Sequence, residues 1–205
     1  MTDATPIDGI GAQPVAQQLR TVLHVSCGLA HPAKLPDSYF PLADWHELRL
    51  DSDPSVTPDI LARPTDLSML ADASVDAIWS SHSLTHLAFH EVAVALGEFL
   101  RVLKPGGFFL VTLPDLQQVA KHVAEGHLEE PVYISAAGPI SPLDILYGHR
   151  AAQAEGQIGT LPRTGFTARS LAEHLTAAGF AAVKIESDGR FALWGVGTRP
   201  DVARA

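Results

Sequence analysis

The chain has 205 residues, 46% hydrophobic and 18% charged, with a formal charge of −9 and one cysteine. That is enough chain to bury one sizeable core, with the composition of a globular protein. The charge excludes a broad nucleic-acid surface, the lone Cys27 excludes an internal disulfide, and no apolar run reaches the roughly 18–20 residues of a membrane span.

Residues 1–13 read as a loose tail, and Val15–Arg20 as a short helix. The opening MTDATPIDGIG has neither a basic nor an apolar export pattern, which with the single thiol fits a cytoplasmic protein. Thr21–Ser26 (TVLHVS) is a β-branched run that predicts a first strand, closed by Cys27 and Gly28. A glycine there lets a ligand approach the backbone. Residues 29–44 hold three prolines and little periodicity, so the first crossover has a short or irregular helix. Trp45–Leu50 predicts a second strand ending at Asp51. A carboxylate at that strand end can accept both hydroxyls of a ribose; the plainer reading is a solvated turn residue before Pro54. Pro58–Leu61 predicts a short third strand, followed by Thr65-Asp66-Leu67. There Asp66 could accept from an exocyclic amine while Leu67 covers a ring, or Asp66 could cap the next turn.

The chain is organised around residues 75–114. Val75–Trp79 and Phe108–Leu113 predict strands, and between them Phe89, Val92, Leu96, Phe99, Leu100 and Leu103 recur at helical spacing. Glu91, Glu98 and Arg101 fall on the opposite face, and Lys104-Pro105-Gly106-Gly107 ends the helix. Strand, helix, strand makes two parallel neighbours with a right-handed crossover. Ligands of such sheets bind beyond the carboxyl ends of the strands, here at Ser80-Ser81-His82 and Pro114-Asp115. Asp115 then caps a helix ended by Gly126. Residues 127–163 break the alternation and form a lid-like insert, with a helix start at Ser141-Pro142 and polar or aromatic groups at Tyr133, Tyr147, His149, Arg150 and Arg163. Thr167 caps a helix ended by Gly179. Ala181–Glu186 and Phe191–Val196 are strands joined through Asp188-Gly189, a hairpin signal.

His82, His86 and His90 are spaced i, i+4, i+8, but the first belongs to the loop leaving a strand, and no cysteine or carboxylate pair completes a metal site. No metal is expected. Cys27, at a buried strand end with no local base, is not a nucleophile.

Asp72-x-Ser74-Val75-Asp76-Ala77-Ile78, then Ser81-His82-x-Leu84-x-His86-Leu87, then Arg101-Val-Leu-Lys-Pro-Gly-Gly107 resembles class I S-adenosylmethionine (SAM) dependent methyltransferases, and within them a bacterial group of small ones. Roughly Leu23–Trp194 takes part in the likeness. It implies an α/β, Rossmann-like domain over 1–205, with a seven-stranded, mainly parallel sheet and a C-terminal antiparallel hairpin. It implies SAM as cofactor and S-adenosylhomocysteine as product. Cys27 and Gly28 would meet the amino-acid portion, Asp51 the ribose, and Asp66 and Leu67 the adenine, with Ser81 and His82 closing the near side. The acceptor would be a small molecule, with His86 or His149 as base and Tyr147 and Arg163 orienting it. The chain departs from the family in having one glycine in the first turn, Thr85 before His86, and Pro162 before Arg163. These departures leave open a degenerate, non-catalytic nucleoside-binding or accessory protein. A homodimer also stays open. The missing glycine fingerprint and the terminal hairpin disfavour an NAD-dependent oxidoreductase.

Overall fold

A computed structural model describes residues 19–31, 34–135, 138–156, 159 and 161–201. The expected tail over 1–13 and the helix from Val15 lie outside the described residues, except that Arg20 opens a strand instead of closing a helix. In chain order the elements are β1 (Arg20–Val25), β2 (Trp45–Asp51), β3 (Ile60–Leu61), β4 (Val75–Ser81), α1 (Phe89–Val102), β5 (Leu103–Pro114), α2 (Leu116–Ala124), β6 (Tyr133–Ser135), β7 (Gly138–Ile140), α3 (Pro142–Tyr147), α4 (Arg150–Ala154), α5 (Ala168–Ala178), β8 (Ala181–Ser187) and β9 (Ala192–Thr198).

Seven strands form one sheet in the order β3-β2-β1-β4-β5-β9-β8. Neighbours from β3 through β5 are parallel, and β9 inserts antiparallel between β5 and β8. The chain goes outward from β1 to β2 and β3, then returns to place β4 on the other flank of β1. The strand order therefore reverses between β1 and β4, where their carboxyl ends leave a crevice.

The central βαβ unit is built as its periodicity dictates. Val92, Leu96, Phe99 and Val102 of α1 are fully buried against the sheet, where they meet Leu171 and Leu175 of α5. On the outer side Arg101 grips Glu98 at 2.8 Å through both Nε and Nη2, and also donates to the carbonyls of Leu67 and Leu70 and to Asp72. β5 begins at Leu103 and runs through Pro105-Gly106-Gly107, earlier than the sequence suggests. Gly106 donates to the Arg199 carbonyl and Arg199 to that of Gly107, which extends the pairing. A Cβ on Gly107 would lie 2.8 Å from the Asp76 carbonyl oxygen and 2.9 Å from that of Lys104, so the strands meet here only without a side chain.

The opposite face of the sheet carries no α-helix in its first crossover among the described residues. Turns over 36–44 replace it, bringing Leu35 and Phe40 onto Val22, Trp45, Ala77, Trp79 and Leu110. Phe40 stacks on Phe108 at 5.7 Å and meets Trp45 edge-on at 5.1 Å. Flat rings fill the volume that a helix would otherwise cover.

The insert has structure of its own. β6 and β7 pair as a hairpin, and Ser141 caps α3. Val119 of α2 packs with Ile140 and Ile145 to anchor it. Asp115 caps α2, and Thr167 caps α5, which Gly179 ends at φ 103°.

Candidate functional site

At the carboxyl ends of β1 and β4 lies a cavity of about 350 Å³, within the range of small-molecule sites. Ser26 and Gly28 line it after β1, Asp51 and Ser52 at the end of β2, Arg63 and Pro64 after β3, and Ser81, Ser83 and His86 from the end of β4 onward. Gly28 donates its N–H to Asp51 Oδ2 at 2.9 Å, and the Asp53 N–H reaches Oδ1 at 3.0 Å. One carboxylate thus ties the tips of β1 and β2 together and still has acceptor capacity on each oxygen. Gly28 has φ 60°, and a Cβ there would lie 2.8 Å from Lys34 Nζ, which donates to the Cys27 carbonyl at 2.7 Å. Arg49 fixes the same lip, donating to the carbonyls of Gly28 at 2.6 Å, Thr57 at 2.9 Å and Val56 at 3.0 Å.

Two arginines close the mouth. Arg63 meets Glu91 Oε1 at 2.6 Å, and Arg163, from the end of the insert, meets Oε2 at 3.2 Å. The Ala88 N–H also binds Glu91, and these donors hold its carboxyl below the ordinary value. The insert is held down a second time where Arg163 and Thr164 donate their backbone N–H groups to the Thr85 carbonyl, at 2.7 and 3.1 Å. Burial pushes the His86 pKa down, partly offset by the Leu161 backbone, and its Nδ1 is buried without a partner among the described residues.

Gly28, Asp51, Ser81, His86 and Arg163 therefore come together around one cavity. The other residues singled out in the sequence lie elsewhere. Leu67 is fully buried in the core, with its N–H taken by Glu98 Oε2 at 2.8 Å. Asp66 accepts from the Ser68 N–H at 3.1 Å and faces a shallow groove over α1, the turn-capping geometry. Arg63-Pro64, directly beyond β3, stand at the cavity instead. Cys27 is buried on the wall of a neighbouring cavity, and burial pushes its thiol pKa up. His82, left-handed at φ 60°, turns away to a third cavity with Tyr133, Arg190 and Phe191. Tyr147 is exposed and His149 precedes α4; neither lines these three cavities. His82 precedes a 3-10 turn over Ser83–His86, so the three histidines share no helical face, and among the described residues no group of three His, Cys, Asp or Glu is placed to hold a metal.

Residues 23–111 match the family model of a methyltransferase domain. The fold is the class I methyltransferase fold. Among solved structures it is similar to a SAM-dependent methyltransferase from Archaeoglobus fulgidus, at 13% identity and TM-score 0.55, over 89% of this chain and 87% of that one. It is also similar to a Methanosarcina mazei SAM-dependent methyltransferase, at 14% identity and TM-score 0.56, over 90% and 94%. A third similar structure is the Burkholderia thailandensis 1,6-didemethyltoxoflavin-N1-methyltransferase, with its substrate and S-adenosylhomocysteine bound, at 16% identity and TM-score 0.52, over 90% and 72%. A search of curated proteins gives no match. No helix among the described residues is long and apolar enough to cross a membrane.

Proposed function

We propose that the protein is a SAM-dependent methyltransferase acting on a small molecule, with SAM in the cavity between the ends of β1 and β4. The observation that carries this reading is the Gly28–Asp51 contact at 2.9 Å, at the edge of a cavity where the strand order reverses. The residues fit the group. Asp51 offers acceptors for the ribose hydroxyls, and Gly28 exposes backbone to the amino-acid portion. Arg63-Pro64 replace Asp66 and Leu67 as the far wall, and Ser81, Ser83 and His86 form the near one. Bound SAM supplies an activated methyl group, so the chain's own work is placement and water exclusion, which can be worth roughly 7–11 kcal/mol. Arg163 and the insert it belongs to would close the mouth over the ligand.

Calorimetric titration with S-adenosylhomocysteine tests the reading. Wild-type protein should bind it saturably. Asp51→Ala and Asp51→Asn should each weaken binding at least tenfold, about 1.4 kcal/mol, while still melting cooperatively. Absence of binding to ligand-stripped wild type would refute it and favour an accessory role.

A further inference from the structure

A second cavity, about 420 Å³, opens on the face of the sheet opposite α1 and α5. Its floor is made by His24 of β1, Trp79 of β4, Thr112 of β5 and Trp194 of β9, and the loop after β1 covers it with Lys34 and Pro36. The Trp79 and Trp194 rings stack at 5.6 Å and 19°, and Trp79 Nε1 donates to the Lys34 carbonyl at 2.9 Å, fixing wall and cover together. Ser26 and Ser81 line this cavity and the Asp51 cavity alike. Ligands in the two would therefore meet across the same pair of residues. The third cavity, at His82, has neither of these serines in its wall.

His24 is 2% exposed, and its Nδ1 donates to Glu47 Oε1 at 2.6 Å. That bond assigns the Nδ1–H tautomer and leaves Nε2 as the acceptor nitrogen. Burial lowers the His24 pKa below its ordinary value; Glu47 raises it and Lys34 and Arg49 lower it further. The ring is therefore neutral at neutral pH, and the Cys27 thiol, itself pushed up by burial, lies on the same cavity wall. A neutral imidazole oriented by a carboxylate is a competent base.

We propose that this second cavity holds the methyl acceptor, a planar aromatic molecule bearing an ionisable hydroxyl, with His24 as its general base and Glu47 as the positioning residue. The inference rests on SAM occupying the Asp51 cavity. The acceptor hydroxyl gives its proton to His24 Nε2. The oxygen lone pair forms the new bond to the methyl carbon, the carbon–sulfur bond breaks, and its electron pair stays on sulfur as a neutral thioether. The proton then leaves His24 for water. Two indoles and a proline ring suit a flat apolar body, and the imidazole gives a hydroxyl its partner.

The test uses 4-nitrophenol, a phenol whose ionised form absorbs visible light, on wild type, His24→Gln, Glu47→Gln and Trp194→Leu. Wild type should bind it saturably, with quenching of tryptophan fluorescence, and should raise the phenolate band at constant pH. His24→Gln should still bind the probe but lose at least about fivefold of that phenolate gain, with Glu47→Gln falling between. Trp194→Leu should weaken binding at least about fivefold. Both His24→Gln and Trp194→Leu should keep S-adenosylhomocysteine affinity within about twofold of wild type, which separates a local effect from misfolding. No saturable binding, binding indifferent to Trp194→Leu, an unchanged phenolate band in His24→Gln, or competition between the probe and S-adenosylhomocysteine would each overturn the proposal. Failure of wild type to bind S-adenosylhomocysteine would overturn the SAM reading instead, and the probe would still report on the cavity.

Discussion

Replacing Asp144 with Asn removes one negative charge from the middle of the insert and little volume. The carboxylate accepts from the Ser141 N–H at 3.0 Å and hydroxyl at 2.6 Å, and from the Arg150 N–H at 3.2 Å and Nε at 3.0 Å. Its side chain is 3% exposed, but that of Arg150 is 52% exposed. The freed guanidinium would rehydrate, so the penalty of a stranded buried charge does not arise. Weakening the bonds to two backbone donors costs about 1 kcal/mol each, and the half-exposed ion pair adds less than about 1 kcal/mol. The total is about 2–3 kcal/mol. At about 2.1 cal/mol/K per residue, a chain of this length has an unfolding entropy near 0.43 kcal/mol/K, so Tm should fall by about 5–7 °C if the insert melts with the sheet. Should it open alone, hydrogen exchange will rise within 127–156 and the melt will hardly move. Burial by itself would raise the Asp144 pKa; the Ser141 and Arg150 donors outweigh it and hold the carboxyl well below its ordinary 3.8. A lowered folded pKa contributes stability that is complete above the unfolded value and lost as pH falls through the folded one. Urea unfolding or exchange should therefore give a constant wild-type advantage from about pH 5 to 8, shrinking below about pH 4. An advantage under about 0.5 kcal/mol at pH 7 by both measures, or one that grows toward acid, would refute the reasoning.

Two further expectations concern the sheet. Gly107→Ala should cost about 1–3 kcal/mol in chemical unfolding, because its Cβ would meet backbone oxygens of Asp76 and Lys104 instead of a movable side chain. Cys27, 2% exposed and with its thiol pKa raised by burial, should react with a neutral-pH thiol reagent at least about a hundredfold more slowly in the native protein than in denaturant. A native rate within about tenfold of the denatured one would mean that the strand end is open.

Where a local signal carried the information, the chain was legible. The apolar spacing of α1, the caps at Asp115, Ser141 and Thr167, and the hairpin at Asp188-Gly189 each sit in one short stretch, and all formed. Asp51 could be read because the end of a strand fixes where its next side chain stands. The cavity wall beyond β3 stands three residues before the Asp66-Leu67 pair: β3 ends at Leu61, and Arg63-Pro64 reach the cavity before the chain turns back to bury Leu67. His24 carries no local signal, because what surrounds it is set by Glu47 on the next strand and Trp79 on the other flank. Neither neighbour is near it in sequence. The directions of Tyr147 and His149 depend on how two short helices pack, which their own composition does not encode.

The turn after β1 has one more implication. A helix beginning there would aim about half a unit of positive charge at Gly28, carried by backbone and beyond the reach of chemistry. Here Arg49 reaches the Gly28 carbonyl at 2.6 Å, and beside it stands the Lys34 ammonium, 2.7 Å from the Cys27 carbonyl. The ammonium is a whole charge on a flexible stem. Dissolved salt can mask it over a distance of about 8–10 Å, and a single acetyl group would erase it. The electrostatic field at this rim is thus adjustable after synthesis, where a backbone dipole would have set it once in the folding.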